Sequence, residues 1–229
     1  MLLQLEGTSV RFGGVEALSR VDLELAPGQA LGLVGANGCG KTTLFNAVTG
    51  VVRPSEGRIV FLGRDITRAA AHDIARAGIA RTFQTVRLFA TMTVADNVAR
   101  VDEAGGEGSV ELALEQTGLA QRRNVLAGEL SLVEQRRLEI ARALARAPRL
   151  LLMDEPTSGL SPQETEDMIA MLASKVLPGR AAIVAEHKAH VLAALCPAAV
   201  LLDQGRKVKQ GPPDDLLAGA GAAKAKREV

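Results

Sequence analysis

Gly35-Ala36-Asn37-Gly38-Cys39-Gly40-Lys41-Thr42 is the most informative run of eight residues in this chain. It satisfies the phosphate-binding spacing G-x-x-x-x-G-K-[ST] at every fixed position. The apolar run Ala30-Leu31-Gly32-Leu33-Val34 before it predicts a short buried strand. The run from Thr42 and Thr43 through Leu44, Phe45 and Val48 predicts a helix that stops near Gly50. Strand, glycine-rich turn and helix together make an anion trap. The glycines let successive backbone N–H groups wrap phosphate oxygens, and the helix N-terminus adds partial positive charge. The expected cradle is Gly35, Ala36, Asn37, Gly38, Cys39, Gly40, Lys41, Thr42 and Thr43. Lys41 is placed to reach the β- and γ-phosphates and the Thr42 hydroxyl to ligate Mg²⁺. The implied ligand is a nucleoside triphosphate.

A second run completes the chemistry. Leu150-Leu151-Leu152-Met153 predicts a buried strand, with Asp154-Glu155 at its carboxyl end. Behind a phosphate loop, such a pair reads as a magnesium carboxylate, Asp154, and a water-activating carboxylate, Glu155. The plainer reading of the pair is a helix N-cap. Gln84 ends another expected strand, Gly78 to Phe83, where an open α/β sheet meets its ligands. Its amide can contact both Mg²⁺ and the attacking water. His187 follows the expected strand Ala181–Glu186 and is a candidate hydrogen-bond donor to the γ-phosphate, while His72 and His190 are read as structural.

Outward from these runs, residues 2–27 alternate polar and apolar and predict short strands. Phe12, beside Gly13 and Gly14, fits either stacking on an adenine ring or a place in a hairpin core. Pro54 to Gly57 predicts a turn, Arg58 to Leu62 a strand, and residues 68–77 a helix. The stretch from about 86 to 147 is helical in pattern, broken by the glycine-rich 104–108. Its last helix starts at Ser131, whose spacing to Glu134 is that of a capping box. Leu138, Ala141 and Leu144 then share one face.

The 229 residues suit one domain, or one domain with an insert, and bury roughly 70% of the unfolded surface. A net charge of +1 argues against nucleic acid as the main partner. No run has the length of a membrane span and the start lacks a signal-peptide pattern, so a cytoplasmic protein is expected, with membrane contact through another chain. The two cysteines, Cys39 and Cys196, do not suggest a disulfide, and position 39 needs only a small residue.

Phe12, the phosphate loop at 35–42, Gln84, the helix start at 130–137, Asp154-Glu155 and His187 occur in an order and at intervals that resemble the ATP-binding subunits of ABC transporters. The resemblance covers about residues 2 to 212. Arg81-Thr82-Phe83-Gln84 with Arg87-Leu88-Phe89, Met92-Thr93-Val94 and Gln135 to Arg142 is similar to the ATPases of branched-chain amino-acid importers. It implies an α/β P-loop NTPase (RecA-like) core with an antiparallel β subdomain, built from 1–85 and 148–217. It also implies an α-helical insert, 86–147, carrying the signature helix, and a flexible tail, 218–229.

The implied activity is ATP hydrolysis powering an importer, with ATP and Mg²⁺ as cofactors. The implied partners are a second ATPase subunit, identical or not, membrane permease subunits and, indirectly, a solute-binding protein. Two copies would sandwich ATP, so that Ser131 of one copy meets the nucleotide of the other. The departures are Leu132, Val133 and Glu134 where the family usually has Gly-Gly-Gln, Ser161 where it has aspartate or asparagine, and an insert shorter than usual. Loss of the glycines weakens close backbone approach to a phosphate. This leaves open an ATP-gated dimerisation module with weak hydrolysis. A separate reading, a soluble ABC ATPase with no role in transport, is weakened by the absence of a C-x-x-C pair and of a long heptad segment.

Overall fold

The computed structural model describes residues 1–101 and 107–216. Two long strands, β1 (Leu3–Phe12) and β2 (Val15–Leu25), form a hairpin, and β4 (Glu56–Phe61) and β5 (Arg64–Asp65) complete a four-stranded antiparallel sheet in the order β2-β1-β4-β5. The strands of the hairpin are longer than the alternation suggests. The ladder runs from Leu3↔Leu25 to Phe12↔Val15, but register shifts after Leu5, Thr8 and Val10 interrupt the two-residue period that marks a strand in sequence. At the shift between β1 and β4, a Cβ on Gly57 would lie 2.3 Å from the Gly7 carbonyl oxygen, so only glycine fits.

The second sheet has six strands: β3 (Ala30–Val34), β6 (Ile79–Arg81), β7 (Leu150–Asp154), β8 (Ala181–Ala185), β9 (Ala198–Asp203) and β10 (Arg206–Gly211). Their order is β10-β9-β3-β8-β7-β6, parallel throughout except for β10. β3, β7 and β8 are buried at every position. Alternate residues feed two cores. Leu31, Leu33, Leu150, Leu152 and Ile183 pack with Leu3, Leu23, Leu44 and Phe45 on one face. Val34, Leu151, Met153 and Val184 pack with Leu138, Met168, Leu172 and Leu192 on the other. A parallel sheet covered on both sides explains why its strands read as continuous apolar runs.

Helix α1 (Lys41–Val48) follows β3, α2 (Ala71–Arg76) precedes β6, and α6 (Pro162–Met171) and α7 (Ala189–Leu195) flank β8. α2 is shorter than the expected 68–77, because its N-cap, Ala70, has extended backbone. β6 ends at Arg81 rather than Phe83. Thr82 N–H still donates to the Leu152 carbonyl on β7, but Phe83 N–H leaves the ladder for the Glu139 carboxylate. Between β6 and β7 lie α3 (Val94–Ala99), α4 (Glu107–Gln116) and α5 (Leu132–Leu144), which pack on one another. Of the expected break at 104–108, residues 104–106 lie outside the described residues, and Glu107 opens α4. The expected tail at 218–229 also lies outside them.

Candidate active site

Strand register brings the chemistry to one edge. Leu33 pairs with Ala185, and Ala185 pairs with Asp154, so the three lie in one row across β3, β8 and β7. Two strand spacings put Asp154 about 10 Å from the β3 row position. The residues that follow each strand, Gly35, Glu186 and Glu155, therefore emerge together at the carboxyl edge, where open α/β sheets take their ligands. Backbone bonds fix that exit: Glu155 N–H donates to Ala185 O at 2.9 Å and Glu186 N–H to Leu33 O at 3.3 Å.

The loop after β3 turns on left-handed glycines, Gly35 (φ 154°), Gly38 (φ 79°) and Gly40 (φ 114°). A Cβ on Gly35 would meet Leu202 O at 2.3 Å and Cys39 Sγ at 2.4 Å. No side chain caps α1 at Gly40, so its first-turn N–H groups are left to an anion. Buried Lys41 donates from Nζ to Gly35 O at 2.6 Å and Ala36 O at 3.2 Å, which holds its ammonium across the loop. Thr42 is exposed and Thr43 half-buried. Cys39 is buried beneath the loop, and burial pushes its thiol pKa up despite the nearby Lys41. That suits the small-residue role.

Asp154 is buried and ion-paired, with Arg81 Nη2 3.0 Å from its Oδ2. The other guanidinium nitrogen, Nη1, donates to Asn46 Oδ1 on α1 at 2.6 Å, and the group lies over the rings of Phe45 and Phe83 at 5.3 and 5.0 Å. One arginine thus joins the helix behind the phosphate loop, the acidic strand and the segment leading to Gln84. Glu155 is a non-glycine residue at φ 50°, a conformation that costs about 1–3 kcal/mol and tends to cluster at functional sites. Its carboxylate accepts from Gln84 Nε2 at 3.0 Å, across 71 residues of sequence. Neither acid is a helix cap, since Ser161 caps the following helix, α6.

His187 is exposed at the same edge, its N–H donating to Glu186 Oε2 at 3.0 Å. His72 and His190 are exposed and lie beside Asp73 and Glu166. Ser131 is the N-cap of α5 with both bonds of the capping box to Glu134. Both Ser131 and Leu132 are exposed, and Leu138, Ala141 and Leu144 are buried. Phe12 is 50% exposed at the hairpin end, so it is not a core residue. β2 of that hairpin abuts the phosphate loop, where a Cβ on Gly40 would lie 2.8 Å from Ala17 O.

Several site-supporting residues escape sequence reasoning. Arg136 on α5 donates to Phe83 O at 3.1 Å and Ser158 O at 3.4 Å, and Glu139 accepts from Phe83 N–H at 2.9 Å. Burial raises the Glu139 pKa in spite of that bond and the Arg136 charge beside it. The two contacts to Phe83 span more than fifty residues of sequence and the one to Ser158 spans 22, and no local period marks them. A charged residue next to the apolar stripe of α5 was the only available signal.

The model of the ABC transporter family matches residues 18–158. The chain is 35% identical to the high-affinity branched-chain amino acid transport ATP-binding protein BraF of Pseudomonas aeruginosa, over 94% of this chain and 93% of the relative. It is 34% identical to LivG of Escherichia coli K12, a protein of the same description, over the same shares. Among solved structures, the ADP conformation of MJ1267, an ATP-binding cassette of an ABC transporter, superposes with a TM-score of 0.87 at 28% identity, covering 97% of each chain. A nucleotide-free cassette gives 0.85 at 27% identity, covering 96% of this chain and 95% of that one. The fold and the edge it builds define a P-loop ATPase of the ATP-binding cassette type. The chain belongs to the ABC transporter family, and it is an ATP-binding, ATP-hydrolysing subunit. Among the described residues no helix is long and apolar enough to cross a membrane.

Proposed function

We propose that this protein is the ATPase that drives a membrane importer for branched-chain or other hydrophobic amino acids. The observation that carries the reading is the single edge shared by the phosphate loop, Asp154-Glu155, Gln84 and His187. Likeness to BraF and LivG over nearly the whole chain supports the substrate class. The adenine stacks on Phe12, and the loop N–H groups and Lys41 hold the phosphates. Thr42, Gln84 and Asp154 are hard oxygen donors with a single carboxylate among them, a set that suits Mg²⁺ and leaves much of its shell to phosphate and water. When bound, the ion neutralises charge on the phosphoryl oxygens.

Glu155 orients water in line with the γ-phosphorus, and Gln84, already bonded to its carboxylate, keeps that group aimed. Lys41 and His187 stabilise charge on the transferred phosphoryl group. A second ATPase subunit closes over the nucleotide and presents Ser131, whose hydroxyl and helix N-terminus stand in for the missing glycines. A permease pair at the inner face of the cell membrane then converts closure and reopening into transport.

Reconstitution with its permease subunits in vesicles tests this reading. ATP-dependent uptake of leucine, isoleucine or valine is the expected result. Turnover should be abolished in Glu155→Gln with ATP-dependent dimerisation retained, and nucleotide binding should be lost in Lys41→Ala. ATP turnover without solute uptake would favour the soluble ATPase reading, and dimerisation with little turnover in the native chain would favour the gated module.

A further inference from the structure

A buried polar clamp at Thr157 lies just beyond the residues with a direct chemical role. Thr157 is two residues after Glu155 and fully buried. Its N–H donates to Glu186 Oε1 at 3.1 Å, and its hydroxyl donates to the same oxygen. Its carbonyl accepts from Lys188 Nζ at 3.2 Å, and that ammonium also donates to Thr165 Oγ1 at 3.2 Å on the first turn of α6. Every polar group of Thr157 is therefore taken by one of the two residues that flank His187. Glu186 is itself fully buried, and its second oxygen accepts the His187 backbone N–H at 3.0 Å.

A carboxylate with no exposed surface is expensive to bury unless both oxygens are satisfied. Here the three donors that satisfy it come from the loop after Glu155 and from His187. The loop is anchored on its far side too, since Ser158 O accepts from Arg136 on α5 at 3.4 Å. A buried carboxyl group thus joins the two turns beyond the last backbone bond between β7 and β8, Glu155 N–H to Ala185 O.

We propose that Glu186 and Lys188 are positioning residues, which lock the Glu155 loop to the His187 turn through Thr157 so that the water-orienting carboxylate and the γ-phosphate contact move as one rigid unit. The inference rests on the roles given above to Glu155 and His187. It predicts an effect on turnover rather than on nucleotide capture, because among the described residues the side chains of Glu186 and Lys188 bond Thr157, His187 and Thr165 and make no hydrogen bond to the loop at 35–42.

The test uses the full chain with ATP, and with a non-hydrolysable ATP analogue to measure affinity. Thr157→Val keeps the side-chain shape, removes the hydroxyl donor and sets a methyl against the carboxylate. The expected result is a fall in kcat of about tenfold or more, since small displacements of reacting groups are costly, with KM and analogue Kd within about twofold of the native values. Thr157→Ser, which keeps the donor, restores most of kcat. Combining Thr157→Val with His187→Ala gives less than the product of the separate losses, because both act on one unit.

Lys188→Met, at a half-buried position that tolerates an apolar chain, lowers kcat in the same sense without change in analogue Kd. It keeps the proposal testable if Thr157→Val fails to fold. Native kcat in both Thr157→Val and Lys188→Met, or fully multiplicative losses with His187→Ala, overturns the clamp while leaving the hydrolase reading intact. An inactive native chain, or native turnover in Glu155→Gln, overturns the hydrolase reading itself and the clamp with it.

Discussion

Arg81 shows how much a single side chain organises here. Its guanidinium pairs with buried Asp154, bonds Asn46 and stacks near two of the five phenylalanines. A buried pair of this kind is weak evidence of stability but does fix orientation, leaving one Asp154 oxygen free of the arginine. The cysteines make a contrasting case of residues held inert. Burial pushes the Cys39 thiol up and the Cys196 thiol up to about 12, so neither is a thiolate at neutral pH. Both should resist maleimide at pH 7.5 in the folded protein and react fully in guanidinium, as read by mass spectrometry. Rapid labelling of Cys39 in the native state would contradict its packing under the loop.

Among the elements, the helix starts carry much of the local specification. Thr93, Ser131 and Ser161 each cap a helix with a reciprocal box to an acid three residues on. Ser161 is one of the positions that departs from the family pattern, and its structural work is this cap on α6. The box lowers the Glu164 pKa from its ordinary 4.5, through bonds from the Ser161 backbone N–H and then its side chain. A depressed folded pKa gives stability that is present above the unfolded value and lost as pH falls through the folded one. Glu164→Gln should therefore melt below the native protein at pH 7, with the gap closing as pH drops below about 4. Calorimetry across that range checks it, and a pH-independent gap would mean the charge contributes nothing to the cap.

At the scale of the molecule, the parallel sheet is the keel, and both its faces are core. Leu152 looks toward the antiparallel sheet and Met153 toward the helices, and each is fully buried. Truncating either to alanine should therefore destabilise by a similar ~2–5 kcal/mol in urea titrations. A strand with one wet face would show the loss at only one of the two positions. The helices between β6 and β7 are tied to the site by Arg136 and Glu139 rather than by apolar packing alone. A displacement of α5 thus reaches Phe83, next to Gln84, and Ser158, near Glu155.

The amino-acid sequence alone was enough for the strand, glycine turn and helix around residues 30–48, the acidic strand end, the Ser131 cap and the family, because each rests on short-range spacing. A glycine turn, a continuous apolar run and a capping box act over a few residues, and their physics is local. Strand length in the hairpin was hidden where bulges break the alternation, and the end of β6 was hidden because a distant carboxylate takes the Phe83 N–H. Phe12 was undecided between core and surface until its exposure was known. Only the tertiary structure chose the partners of buried charges, Arg81 with Asp154, Glu186 with Thr157 and Arg136 with Ser158. The first two depend on the sheet order β8-β7-β6, which sets those strand ends side by side, and the third on where α5 packs, and no periodicity along the chain encodes either.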